Sequence, residues 1–445
     1  MHVVVAGGGL AGLRTVELLR AGGFDGPVTM LAAESRPPYD RPPLSKAALA
    51  ADGLASEVLA GELDAPAIEA ELDTTLSADF TALGVDLHLG EPATALDLAA
   101  ARVRTDTGEY PYDRLVVVTG AMPIVLPGPG RQRFLRTHED ALELRDRLRP
   151  GVRLVIVGAG WIGAELATAA AARGCQVTVV EGGPAPLAAA IGAEVGGRTV
   201  PWYAAAGIEL RTSVLVESVE DGGLALRGGG WIPADEVVTA VGVRPAVGWL
   251  AGSGLDLDNG VAVDPGLRTS APNVFAAGDC ASFESLRYGR RLRFEHWDIA
   301  LHAPEVVAAN VLGGDEVYDP VPYSWSEQFG RMMQYAGYHA AADRLIWRGP
   351  APDRAAGAAD AGSAGPGSAG SADAGAADAG SAGPGGAAPE PWTACWLAGD
   401  RLVALLAVDR PRDVSQGRRI MAAGTPVDPV RLADPAVQLK NATTS

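Results

Sequence analysis

The chain has 445 residues, 48% of them hydrophobic and 20% charged, with a formal net charge of −18. That length holds two or three domains of roughly 100–200 residues with ample core, and so acidic a surface repels nucleic acid and anionic membranes. No run approaches the ~18 uninterrupted apolar residues of a membrane span, and the widely spaced Cys175, Cys280 and Cys395 form no CxxC pair, which argues against a disulfide framework, a zinc site or an iron–sulfur site. The N-terminal run Met1 to Ala6 reads directly as a strand, without a basic n-region or a small-residue cleavage pattern, so the expected location is cytoplasmic.

In chain order, HVVVA is predicted as a short buried strand. Gly7 to Gly12 make a turn, Leu13 to Leu19 carry helical apolar spacing, and VTMLA begins a second strand that Glu34 ends. In Gly7-x-Gly9-x-x-Gly12 the first glycine permits a tight turn. The second lets a pyrophosphate approach the backbone, and the third lets helix and strand pack closely. The helix N-terminus offers unpaired N–H groups to phosphates, and the Glu34 carboxylate can accept both hydroxyls of a ribose. A dinucleotide site is expected here.

YDRLVVVTGA reads as another buried strand ending in a turn. The βαβ unit then recurs at 152–181, with RLVIV, Gly158-x-Gly160-x-x-Gly163, an Ala-rich helix and QVTVVE. Glu181 would repel a 2′-phosphate, and the next basic residue is Arg198, so NADH is expected rather than NADPH. DEVVTAVGVRP is a further strand, and NVFAAGD ends at Gly278-Asp279, where a carboxylate can accept from the ribityl chain of a flavin. LRYGRRLRF sets Arg287, Arg290, Arg291 and Arg293 just before Trp297, either an ordinary solvated hairpin or a docking patch for an acidic partner.

From Tyr323 the pattern turns to aromatic-rich strands and helices. Residues 351–389 are nearly all Ala, Gly, Ser, Pro and Asp, with AADAGSAGPG at 358–367 and again at 376–385. Such a composition buries too little apolar area to offset chain entropy, so a disordered insertion is expected. The fold class is α/β. Two Rossmann-like dinucleotide domains are expected, for FAD at 1–108 and 246–322 and for NAD at 109–245, followed by a C-terminal α+β domain at 323–445.

The series PPYDRPPLSK (37–46), TGA (119–121), LRTHEDA (135–141), GAGWIGAE (158–165), VGVRP (241–245), AAGDCA (276–281), EHW (295–297) and WSEQFG (325–330) resembles the FAD-dependent ferredoxin reductases of bacterial dioxygenases and haem monooxygenases. These proteins are similar also to rubredoxin reductase and apoptosis-inducing factor. The resemblance spans essentially all the chain outside 351–389 and implies a glutathione-reductase-like architecture. It also implies that Arg41 and Lys46 lie along the flavin and its phosphates and that Lys46 pairs with Glu165. Trp297 would lie beside the flavin ring, with Trp325 to Gln328 closing the site. Further cofactor contacts are implied at Ala11, Ala93, Gly120, Ile162, Gly242 and Gly278. One departure is Ile124, where the family often has an arginine contacting FAD.

Related two-domain flavoproteins reduce disulfides or peroxide through cysteines near the flavin. This chain has no cysteine before Cys175, and Ser45 occupies the early region. Cys175 and Cys280 read as packed residues. A separate carrier is therefore the expected acceptor, and the resemblance implies that it is a small acidic iron–sulfur ferredoxin. The alternatives are a rubredoxin or nitrite reductase type of NADH flavoprotein, or a signalling flavoprotein like apoptosis-inducing factor.

Overall fold

The computed structural model describes residues 1–49, 74–350 and 390–444. The low-complexity stretch 351–389 lies outside them.

Five parallel strands form the first sheet, in the order Val274–Ala276, Arg114–Val117, Val3–Ala6, Val28–Ala32 and Val85–Leu89. A parallel strand covered on both faces reads as a continuous apolar run, and Val3, Val4, Val5, Leu115, Val116 and Val117 are all fully buried. Helix Leu10–Ala21 packs against helix Trp297–Val311, so a segment remote in sequence completes the first nucleotide unit.

The second sheet is also parallel, in the order Glu209–Arg211, Gln176–Val180, Arg153–Val157 and Glu236–Thr239. A three-stranded meander, Val216–Glu220, Gly223–Leu226 and Trp231–Pro233, follows it in the chain before its last strand.

The structure corrects the expected boundary at residue 109. Strand Arg114–Val117 pairs with Val3–Ala6 on one side and Val274–Ala276 on the other, inside the first sheet. Its apolar run needs two covered faces, which the first sheet provides. The passage between the two halves comes after it, where Ala121–Pro123 pairs antiparallel with Val243–Pro245 on the returning chain.

The C-terminal part is an antiparallel sheet, ordered Tyr323–Gln328, Arg331–Gly337, Arg401–Val408, Trp392–Ala398 and Arg344–Arg348, with helix Pro411–Ala423 packed on it. The fully buried Arg348 ties this sheet to the tail, donating to Asp413 at 3.0 Å and to the carbonyl of Leu432 at 3.2 Å. Strand Tyr323–Gln328 also rests on helix Trp161–Ala172 of the second unit, which brings all three parts of the chain to one junction. Among the described residues no helix is long and apolar enough to cross a membrane.

Candidate functional site

The two glycine loops have the same construction. Gly7 and Gly158 adopt φ of +131° and +104°, conformations that an L side chain rarely takes. A Cβ on Gly12 would sit 2.1 Å from the Gly7 carbonyl oxygen, and one on Gly163 would sit 2.0 Å from that of Gly158. Nothing lies within 4 Å of a Cβ built on Gly9 or Gly160. The outer glycines are thus demanded by the protein's own packing, while the middle ones face open space where a ligand can reach the backbone.

The helices that follow are left uncapped. Gly9 and Gly160 supply no side-chain cap, and neither first turn carries an acidic residue. By contrast, helix His138–Arg147 is closed by a full capping box from Thr137 and Asp140. Free amides and the positive end of the helix dipole therefore remain available to an anion at both glycine loops. Ile162 is exposed in the second of these helices.

Around the first loop lie two carboxylates and two arginines. Glu34 accepts from Arg41 at 2.5 Å and from the Tyr39 hydroxyl at 2.6 Å. Asp279 accepts from Arg136 at 2.8 Å, and Arg41 also donates to the Arg136 carbonyl. Burial, with the Glu34 carboxylate adding to it, holds the Tyr39 phenol above its ordinary range. A Cβ on Gly278 would meet the Ala11 Cβ at 3.4 Å, and one on Gly120 would meet Arg136 at 3.4 Å, so the Asp279 corner, the helix start and the TGA turn adjoin one another. Ala93 packs on the same core.

At the second loop, Glu181 accepts from the backbone amides of Ala159 and Gly183, both at 2.7 Å. The acid therefore braces the glycine loop itself. Gly242 lies beside Ile124, whose amide donates to its carbonyl at 3.0 Å. Ile124 is thus part of the connection between the halves. The cation near the TGA turn is Arg136, supplied from a later segment.

Lys46 and Glu165 form an ion pair at 2.8 Å, with Glu165 3% exposed and Lys46 24% exposed. Ser45 also donates to Glu165, and Ser326 does so at 2.5 Å. Above the pair is a cavity of about 390 Å³ lined by Asp40, Pro42, Pro43, Lys46, Ala47, Trp297 and Trp325. The Trp297 indole N–H donates to Asp40 at 2.8 Å, and its ring meets Trp325 edge to face at 5.6 Å. Next to Trp297, burial pushes the His296 imidazole down to about 4.

The cysteines are not poised for thiol chemistry. Cys280 and Cys395 are fully buried, and burial pushes their thiols up to about 11 and about 12. Cys175 is raised by the same cause.

Residues 1–303 match the pyridine nucleotide-disulphide oxidoreductase family, and residues 323–359 and 380–443 match the reductase C-terminal family. The chain belongs to the pyridine nucleotide-disulphide oxidoreductases. It is 35% identical to the ferredoxin–NAD(+) reductase component of the anthranilate 1,2-dioxygenase system of Burkholderia cepacia, over 98% of each chain. It superposes on the crystal structure of Fdr9 with a TM-score of 0.83 and 44% identity, covering 98% of this chain and 99% of that one. On the covalent putidaredoxin reductase–putidaredoxin complex the TM-score is 0.80 at 28% identity, covering 99% and 97%.

Within this oxidoreductase fold, the four arginines of 287–293 do not form one open patch. Arg293 is 9% exposed and donates to the Asp279 carbonyl at 3.1 Å. Arg291 turns back onto the carbonyls of Val263 and Ser282. Arg287 ties the hairpin to Met421 at 2.7 Å, while Arg290 is exposed above the Tyr338 ring. Arg293 is withdrawn from a docking role, because it packs against the backbone of Asp279. Sequence reasoning did not single out Arg136, Tyr39, Asp40 or the Ser326 hydroxyl. All four stand inside quoted motifs, but only the folded contacts distinguish them from their neighbours.

Proposed function

We propose that the protein is a cytoplasmic NADH-dependent ferredoxin reductase that carries one non-covalent FAD. A bound flavin supplies the chemistry no side chain has, taking a hydride from nicotinamide and releasing electrons singly. The Gly7–Gly12 loop, Glu34, Arg41, Arg136 and Asp279 would hold that flavin. The Gly158–Gly163 loop, Glu181 and Gly242 would hold NADH. Lys46 would orient and stabilise negative charge at the flavin, in a partly water-excluded setting where such a cation acts strongly.

The observation that carries this reading is the Lys46–Glu165 pair under the tryptophan-lined cavity, in a chain whose three cysteines are free, Cys280 and Cys395 buried and Cys175 half-buried. The expected acceptor is a small acidic ferredoxin; the names of relatives say that those proteins are ferredoxin–NAD(+) reductase components. It would dock over the cavity mouth, with Arg290 and, more weakly, Arg287 and Arg291 steering it. The test is to purify the protein, measure FAD per chain, and add NADH without oxygen. A yellow protein that bleaches with NADH supports the reading, and one that takes up no FAD after refolding with it defeats it.

A further inference from the structure

Three parts of the chain meet at the Glu165 carboxylate. Oε2 accepts from Lys46 at 2.8 Å and from Ser45, both in the segment after the first nucleotide unit. Oε1 accepts from Ser326 at 2.5 Å, which comes from the C-terminal sheet. Ser326 and Gln328 are both fully buried, and the Gln328 amide donates to the Ser326 oxygen at 2.9 Å. A hydroxyl has one hydrogen. Gln328 donates to the hydroxyl oxygen and the Glu165 carboxylate can only accept, so the one Ser326 hydrogen is directed at Glu165.

We propose that Ser326, fixed by Gln328, is a positioning residue that sets the charge Lys46 presents to the cavity. A buried carboxylate needs all its donors, because any oxygen left unpaired keeps its full desolvation cost. While Ser326 serves Oε1, Glu165 divides its charge among three donors and neutralises Lys46 only in part. Without Ser326, the carboxylate falls back on Lys46 and Ser45. The pair tightens, and less positive potential reaches the cavity side of Lys46. An ordinary interdomain strut would hold the domains together without this electrical consequence.

The inference rests on the flavin reading above, and its test separates the two. The FAD midpoint potential is measured by anaerobic dye equilibration on holoprotein, with FAD content and melting temperature checked alongside. Ser326→Ala is expected to move the potential to more negative values, since reduced flavin loses cationic stabilisation. Ser326→Thr, which keeps the hydroxyl, is expected to restore it. In a Lys46→Met background the Ser326→Ala shift should vanish. If Ser326→Ala fails to fold, Ser326→Cys, close in volume but a weak donor, should show a smaller shift in the same direction. A wild-type protein that binds no FAD overturns the function and this inference together. A protein that binds FAD, whose potential is the same with and without the Ser326 hydroxyl, overturns this inference alone. So does a shift that persists undiminished in the Lys46→Met background.

Discussion

The two glycine loops are built alike yet hold their acids differently. Glu34, beside the first loop, is gripped by side chains, Arg41 and the Tyr39 phenol, with Arg136 close by on Asp279. Glu181, beside the second, is gripped by two backbone amides. Side-chain cations around a phosphate-binding loop favour a ligand that stays. A loop offering amides and a helix N-terminus favours one that comes and goes. On the reading proposed above, the same motif would serve a resident flavin in one half and an exchanging coenzyme in the other, and the difference would lie in what surrounds the glycines.

The largest effect should come from breaking the shared backbone device. In Gly12→Val the Cβ would press on the Gly7 carbonyl, and backbone cannot yield there as a side chain could. The expected product is misfolded or free of FAD, read by absorbance after purification. The matching Gly163→Val should spare the yellow colour and abolish bleaching by NADH. Loss of flavin from both variants equally would erase the distinction between the halves.

Arg136→Ala sharpens the contrast from the cation side. It should leave the fold intact and weaken FAD binding by roughly 10–100-fold, the worth of a charge-assisted hydrogen bond of about 1.5–3 kcal/mol. Equilibrium dialysis of the refolded variant measures it. An unchanged affinity would show that the arginine serves Asp279 alone.

The second half is tested through its coenzyme. Glu181 should repel a 2′-phosphate, so the kcat/KM for NADH should exceed that for NADPH by about tenfold or more. Equal use of the two would contradict the role given to Glu181.

A smaller effect belongs to His296. Its folded pKa of about 4 lies below the ordinary 6.5, so the unfolded chain takes up the proton first. The stabilisation is full above pH 6.5 and is lost as pH falls toward 4, with a slope of at most about 1.4 kcal/mol per pH unit. His296→Asn should lose stability less steeply than the wild type between pH 6.5 and 5 in urea titrations. Parallel curves would remove His296 from the account.

The smallest effect is expected at the proposed docking face. Arg290→Ser should slow ferredoxin-dependent cytochrome reduction at low salt by a few-fold, with the two rates converging as salt screens the charges. Reduction of a small uncharged acceptor should be unchanged. A loss of both activities would assign Arg290 to the fold.

Much of this was legible in the residues. The strands, the glycine turns and the acids ending each unit follow from local pattern, because each is decided within about 30 residues. The Lys46–Glu165 pair came through the resemblance, and the structure brings the two side chains together. What local pattern could not supply was long-range. Arg114–Val117 reads the same whichever parallel sheet takes it, and only its pairing on both sides assigns it to the first. LRYGRRLRF reads as four surface charges, but the hairpin turns Arg291 and Arg293 inward onto carbonyls. Arg136 is one of many arginines in the sequence until the fold sets it against Asp279, 143 residues away.

The most direct test of the central claim is catalytic reduction of a small acidic [2Fe–2S] ferredoxin by NADH under anaerobic conditions, read through the ferredoxin's own absorbance. The account predicts repeated turnovers that require bound FAD and are lost in Gly163→Val. A flavoprotein that NADH bleaches, but that stays bleached in excess oxidised ferredoxin, would contradict it.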